Sequence, residues 1–365
     1  MTAVARRADE QAPARSFSDR SPISRSYRRY LAKASLTMFA LVIISAYLMP
    51  LLYMVTTAFQ QPGQSTTPGS PPWPAAPLTA TYQGTEYPVY QVPIDGTTRN
   101  LLIIEKGRES SVMVDPNDPT QTPFTWTGRW RTLQQAWQFA PLVDNFTVAW
   151  NQLNFPQLLR NTILISLLST IGAVISSTLV AYGFARFRFP GKNALFVVLI
   201  ATIILPFQVT LLPTYVLFTW LGWNGTWLPL IIPHFFANAY NVFLLRQYFL
   251  SIPRELDEAA MIDGAGPFRI LRSVIVPQSI AAITAVSLFH FFFAWNDFFV
   301  PLLYLASKPE LQPLSIGLQQ YNALYSTQPT LIQASALMTM AVPIVVFILA
   351  QRAFMRGVVV TGVEK

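Results

Sequence analysis

Long apolar runs without charge alternate with short charged stretches along this chain. Residues 34–85 carry no Asp, Glu, Lys or Arg, but only about 34–58 is apolar; beyond it Pro, Gly and Thr dominate. Further apolar runs occupy 161–185, 193–245, 273–296 and 331–351. A helix needs ~20 apolar residues to cross a ~30 Å hydrocarbon core. As one helix, the run 193–245 would extend about 80 Å, more than twice that thickness. It therefore folds back at TWLGWNGTW (219–227), where Gly and Asn permit a turn and Trp suits the membrane interface. The pattern predicts an all-α membrane protein with six transmembrane helices, the first within 31–59 and five within 159–354.

The segment between helices 1 and 2, residues 60–158, reads differently. Residues 61–77 are rich in Pro, Gly, Ser and Thr and read as a linker. EYPVYQV (86–92), NLLII (100–104) and SSVMV (110–114) alternate or cluster strand formers, with Asp95-Gly96 and Lys106-Gly107 as turn signals. A small β-meander is expected there. Asn145-Phe146-Thr147 matches a glycosylation acceptor, a motif too short to decide anything.

Composition narrows the class. The 365 residues are 52% hydrophobic and 12% charged, as in an integral membrane protein. Cysteine is absent, which excludes disulfides and thiolate metal sites. His234 and His290 cannot build a metal site without carboxylates. The formal charge of +8 raises nucleic acid as a partner, but the placement of the basic residues answers it. Arg6 to Lys33, Arg186, Arg188, Lys192, Arg246, Arg254, Arg269, Arg272, Arg352 and Arg356 all fall on one side of the six-helix arrangement. The excess of Lys and Arg in short cytoplasmic loops places that side inside. Both termini are then cytoplasmic, as tails at 1–30 and 355–365. The β-rich insertion is extracytoplasmic. Lipid accounts for the charge without nucleic acid. The arginine-rich start does not read as a secretory signal, because the apolar run after Lys33 exceeds such a segment.

The densest charge sits between predicted spans four and five, at 251–277. Seven charges (Arg254, Glu255, Asp257, Glu258, Asp263, Arg269 and Arg272) fall within twenty residues. At roughly 2.5–3.5 kcal/mol each at a bilayer centre, they would cost on the order of 20 kcal/mol, so this stretch stays in water. Ser251 is a candidate cap for a helix beginning near Pro253, and Glu255, Asp257 and Glu258 complement its positive end. Ala260 and Gly264 stand four apart, on one face of that helix with Leu256 and Ala259 beside them. Gly264 and Gly266-Pro267 end it. Phe268, Leu271 and Ile275 then recur at helical spacing. The segment is either a cytoplasmic loop packed on its own bundle or a docking helix for a soluble partner.

Polar groups at mid-membrane depth are candidates for function. Counting places Gln208 near the middle of span three, Asn238 and Asn241 in span four, and His290 in span five. Amides and aromatic faces suit a neutral polyol; hydrogen bonds between helices are the competing role. Trp295-Asn296-Asp297 lies about twenty residues beyond Pro277. That puts Trp295 in the interfacial aromatic belt and gives the three an outer-gate or structural role.

These segments carry a resemblance. Glu258-Ala259-Ala260, three residues, Gly264, nine residues and Val274-x-Val276-Pro277 resemble the EAA loop of bacterial ATP-binding-cassette import permeases. AYGFARFRFPGKNALF (181–196), PFQVTLLPTYVLFTWLG (206–222), FLLRQYFLSIPRELDEAAMIDGAG (243–266), WNDFFVPLLYL (295–305) and QRAFMRG (351–357) are similar to carbohydrate-uptake permeases of the maltose-transporter type, specifically the smaller membrane subunit. The resemblance implies a multi-pass subunit of the bacterial plasma membrane, paired with a second homologous permease. It also implies a dimer of ATP-binding subunits and an extracytoplasmic sugar-binding protein. Glu258, Ala259, Ala260, Asp263 and Gly264 would seat in an ATPase cleft. Tyr321, Asn322 and Tyr325 would lie in a loop that probes the binding protein. The chain has no G-x-x-x-x-G-K-[ST] loop; ATP and Mg would belong to the partner, and the chain itself would hold no cofactor. An ion-coupled carrier and a membrane-anchored extracytoplasmic binding module are the alternatives. The first lacks a mid-membrane carboxylate, and six spans are excessive for the second.

Overall fold

The structure, a computed structural model, describes residues 22–94, 96–118, 120–324 and 328–360. Helix α1 (Pro22–Ala58) carries Arg25, Arg28, Arg29 and Lys33 in its first part and no charge from Ala34 onward, where it is apolar on every side. Leu36, Met38, Phe39 and Leu41 point in four directions at about 100° per residue, and all four are exposed. A surface of this kind is solvated by lipid rather than by water. Residues from Met54 onward form a separate compact unit.

Among the described residues eight strands follow: β1 (Ala75–Pro77), β2 (Thr79–Tyr82), β3 (Thr85–Ile94), β4 (Thr97–Glu105), β5 (Ser110–Val114), β6 (Phe124–Thr127), β7 (Gln134–Gln135) and β8 (Trp137–Phe139). β2 to β6 form an antiparallel meander, β7 adds alongside β3, and β1 pairs with β8. The three apolar stretches of the sequence are β3, β4 and β5. Leu101 and Ile103 of β4 pack with Val92 and Met113 on one face. Leu102 packs with Val89, Val114 and Ala136 on the other. Burial on both faces is why β4 reads as a continuous apolar run instead of alternating.

Two readings of this region change. Residues 61–77 are not a loose linker: Gln64 is buried, donates from Nε2 to the carbonyls of Pro71 at 2.9 Å and Trp73 at 2.7 Å, and accepts from the Ala75 N–H at 3.1 Å. One glutamine thus ties the stretch into a knot. Asn145 is no glycan acceptor either. It is 3% exposed, and its Nδ2 donates to the carbonyls of Ala58 and Gln60, both at 2.9 Å. Those carbonyls lie at the end of α1, where a helix leaves acceptors unpaired. Gly96 takes the left-handed φ of a turn; Asp95 lies outside the described residues.

The helical remainder comprises α2 (Asp144–Gln152), α3 (Phe155–Arg186), α4 (Lys192–Ala201), α5 (Phe207–Trp220), α6 (Leu228–Ile231), α7 (Ala239–Ser251), α8 (Glu255–Ile262), α9 (Pro267–Ile270), α10 (Val276–Gln278), α11 (Ile280–Asn296), α12 (Phe299–Leu305), α13 (Leu314–Leu324) and α14 (Pro329–Val360). Among the described residues, Arg29–Ala58, Phe155–Arg186, Leu228–Ser251 and Pro329–Arg352 are each long and apolar enough to cross a membrane. Two further pairs qualify only jointly: Lys192–Ile204 with Phe207–Trp220, bent by 98°, and Pro267–Gln278 with Ile280–Asn296, bent by 82°. The first bend has a local cause. Pro206 disfavours helix at the residue before it, and Leu205 is extended at φ −68°, ψ 117°. In the second pair, Leu271–Ile275 is π-helical, directly before Val276-Pro277, where proline withholds an N–H from the helical ladder.

The chain reverses at 221–227 with Gly222 and Gly225 both left-handed, in agreement with the turn read from the sequence. α3 packs against both α7 and α11. Ala181, Tyr182 and Ala185 of its last turns meet Leu245, Phe249, Ile270 and Ile275 in one core. Phe155 and Leu158 of its first turns meet Phe291, Trp295, Leu314 and Tyr321 in another. Trp295 is 3% exposed. It belongs to that core, so its ring faces protein and is not free to sit in an interfacial belt.

Candidate functional site

The charged loop folds as the short helix α8 between α7 and α9. Ser251 does not cap it. Ser251 ends α7 and donates to the Tyr248 carbonyl at 2.7 Å, while Arg254 occupies the cap position of α8 without a side-chain bond. The three carboxylates Glu255, Asp257 and Glu258 fill the first turn, where they complement the dipole. Gly264 lies beyond the helix, so it shares no helical face with Ala260. At φ +77° its N–H reaches the Met261 carbonyl at 3.0 Å, and the Ala265 N–H reaches the Ala260 carbonyl at 2.9 Å. This is a Schellman ending, which favours glycine at the left-handed position. The glycine of the EAA pattern is thus a helix stop with open space around it.

The faces of α8 are unequal. Glu258, Ala259, Met261, Ile262, Asp263 and Gly264 are exposed and Ala260 is half-buried; Ile262 is 88% exposed. Phe268, read as part of a core face with Leu271 and Ile275, is exposed as well, while those two are buried. Asp257 alone of the α8 carboxylates turns inward. Its Oδ2 lies 2.7 Å from Nε of Arg186, and the two side chains are 9% and 7% exposed. Burial pushes the Asp257 carboxyl up from its ordinary value, opposed by the Arg186 and Arg254 guanidiniums. Neighbouring basic groups are equally engaged. Arg246 donates to the Phe184 carbonyl at 3.3 Å and sits 4.1 Å from the centroid of the Phe196 ring. Lys192 Nζ donates to the Phe187 carbonyl at 2.9 Å. The basic residues around the end of α3 therefore satisfy its unpaired C-terminal carbonyls.

The second region is a cavity of about 490 Å³ between α5, α7, α11 and α12. Its walls include Phe207, Phe293 and Tyr304 together with His234, Asn238, Asn241, His290 and Asp297. Asn238 does not sit mid-helix. It caps α7 after a break at 236–238, its Oδ1 accepting from the N–H groups of Tyr240 at 3.0 Å and Asn241 at 3.2 Å. His234, which the sequence offers only as an insufficient metal ligand, meets His290 edge to face. His290 Nε2 and Asn241 Nδ2 are buried without a hydrogen-bond partner among the described residues. Gln208 is exposed and does not line the cavity, since the lining face of α5 runs through Phe207, Leu211, Thr214 and Phe218 and Gln208 stands about 100° round the helix from Phe207.

Asp297 accepts from the Val300 N–H at 3.3 Å at the start of α12, and its own carbonyl accepts from Ser315 Oγ at 2.7 Å. Asn296 is exposed and donates to the Phe292 carbonyl at 2.8 Å. Of the loop expected to project outward, Tyr321 is 3% exposed and donates to Gln152 Oε1 at 2.7 Å. It packs instead of probing. Asn322 is exposed at the end of α13; Tyr325 and the tail 361–365 lie outside the described residues.

Comparison with known proteins gives these two regions a context. Residues 173–360 match the model of a family described as binding-protein-dependent transport system inner membrane component. The chain is 32% identical over 240 residues to the osmoprotective compounds uptake permease protein GgtD of Synechocystis, covering 66% of this chain and 80% of that one. It is 36% identical over 207 residues to the sn-glycerol-3-phosphate transport system permease protein UgpE of Rhizobium meliloti, covering 56% and 73%. A crystal structure of a bacterial ABC transporter involved in import of the acidic polysaccharide alginate superposes with a TM-score of 0.61 at 19% identity, covering 92% of this chain and 98% of that one. That last likeness is one of fold.

Proposed function

Because this chain belongs to the family of binding-protein-dependent transport system inner membrane components, we propose that it is one of two permease subunits of an ATP-driven importer for a neutral sugar or polyol. It is a multi-pass protein of the bacterial inner membrane. In this reading the four single spans and two bent pairs make six crossings with both termini inside, which leaves the strands of 75–139 outside. ATP and Mg are bound by a dimer of partner subunits. A sugar-binding protein delivers the cargo from outside.

The observation that carries the reading is α8. A helix with three carboxylates in its first turn and Met261, Ile262 and Phe268 exposed around it is costly to leave bare on one small element. It suits a cleft on a soluble partner that offers basic groups at the rim and an apolar floor. Glu258 is the residue placed for a basic partner; Ala259 and Ala260 allow close approach, and Gly264 ends the helix before it can collide.

The cavity supports the cargo class. Aromatic walls stack on CH faces of a sugar ring, and the unpartnered His290 Nε2 and Asn241 Nδ2 suit its hydroxyls. Among the described residues no Arg or Lys lines the cavity, whereas Asp297 does. Phosphate-bearing and acidic cargoes, of the kind named for one relative and one structural neighbour, call for cationic partners, so a neutral cargo fits this wall better. The test of the assembly is direct. Tagged chain extracted from native membranes in mild detergent should bring down a second permease and a Walker-motif ATPase in stoichiometric amount. Recovery of the chain alone, while control complexes survive, overturns the reading.

A further inference from the structure

The last turn of α3 grips both ends of α8. Arg186, its final residue, sets Nε 2.7 Å from Asp257 Oδ2 in the first turn of α8. Its Nη2 donates to the carbonyl of Ile252, just before α8, at 3.0 Å. Tyr182, one turn earlier, donates from its hydroxyl to the carbonyl of Pro267, just after α8, at 3.1 Å. Two hydrogen bonds and one ion pair bracket the helix at entry, first turn and exit. None follows from chain connectivity, since α8 is joined by peptide only to α7 and α9.

The far end of α3 is tied as firmly. Asn161 Nδ2 donates to the carbonyls of Glu310 at 2.9 Å and Gln312 at 3.0 Å, and Thr162 Oγ1 accepts from the Leu314 N–H at 2.8 Å. Midway, Ser176 Oγ donates to the carbonyl of His234 on the cavity wall at 3.2 Å. At 32 residues, α3 is about 48 Å long, so a tilt imposed at Arg186 is felt at His234 and at 310–314.

We propose that Arg186 and Tyr182 are positioning residues that make α8 and α3 one moving body, so that displacement of α8 is delivered along α3 to the cavity wall and the outer segment. The non-helical connections at 252–254 and 263–266 would not by themselves hold α8 to α3. The inference rests on the reading of α8 as the helix that docks on an ATPase.

The chain has no cysteine, which permits a clean test in the full complex, reconstituted in proteoliposomes with cysteine-free partners. Arg186→Cys with Asp257→Cys removes the ion pair and introduces two thiols that a short bifunctional thiol reagent can bridge. The readout is sugar transported per ATP hydrolysed. The unbridged double variant should keep hydrolysis and lose transport about tenfold, and bridging should restore the ratio to within about twofold. Tyr182→Phe, which removes one hydroxyl, should lower the ratio about threefold with assembly unchanged; it decides the matter if the double variant does not assemble. A normal ratio in the unbridged or Tyr182→Phe complexes, or no recovery on bridging, overturns the linkage. ATP-driven uptake by the unmodified complex is measured first. If it is absent, the functional reading itself fails; if it is present, the variants judge the linkage alone.

Discussion

His234 and His290 meet with ring centroids 4.7 Å apart and an interplanar angle of 75°, brought together from two separate elements of the bundle. Each imidazole fixes the position of the other, so His290 presents a defined polar edge to the cavity it shares with Asn241. His290→Leu and Asn241→Leu keep bulk and remove the polar atoms. A hydrogen bond to a neutral hydroxyl contributes about 1 kcal/mol, roughly fivefold in rate. Uptake at saturating binding protein should fall by about that factor in each variant with assembly unchanged. Rates equal to wild type in both would remove these residues from the pathway.

At Gly264 the backbone decides the outcome, because the site is open but left-handed. Gly264→Ala should loosen the end of α8 by about 1 kcal/mol, visible as roughly fivefold faster amide exchange at Ala265. Gly264→Asn should do less harm, since Asn tolerates this conformation. If crowding rather than φ were the constraint, Asn would be the worse of the two.

Asn145 holds the end of α1 with two bonds from one amide. Asn145→Ala leaves buried carbonyls unpaired and should cost about 1–3 kcal/mol. Asn145→Asp should cost more, because it sets a carboxylate against two carbonyl oxygens. Thermal unfolding of the purified protein orders the three; equal midpoints would mean that water replaces the amide freely.

Gly317 lets α13 approach α3 closely: a Cβ there would stand 2.2 Å from Leu158 Cδ1. Gly317→Ala should destabilise by about 1–3 kcal/mol through overpacking, and Leu158→Ala in the same chain should recover part of the loss. A double-mutant cycle in unfolding free energy reads this coupling. Strict additivity would show that Leu158 simply swings aside.

The apolar runs were legible because bilayer thickness sets a length that sequence must match. The α8 stop was legible too, since Gly264 and Gly266-Pro267 break a helix in any context. What escaped depends on tertiary geometry. Arg186 and Asp257 stand in separate stretches, and nothing local says that one carboxylate of three turns inward. Counting residues gives Trp295 and Gln208 a depth but not a direction: Trp295 turns into the core with Phe155 and Phe291, and Gln208 stands off the α5 face that lines the cavity. Asn145 looked like a surface motif because its three-residue context hides a partner more than eighty residues away.

The measurement closest to the central claim is uptake of labelled neutral oligosaccharides into proteoliposomes that hold the assembled complex, with binding protein outside and nucleotide trapped within. Uptake should require hydrolysable ATP, fail with a non-hydrolysable analogue, and persist when ionophores collapse the proton and sodium gradients. Uptake that proceeds without ATP and vanishes with the ion gradient would contradict the account and make this chain a secondary carrier.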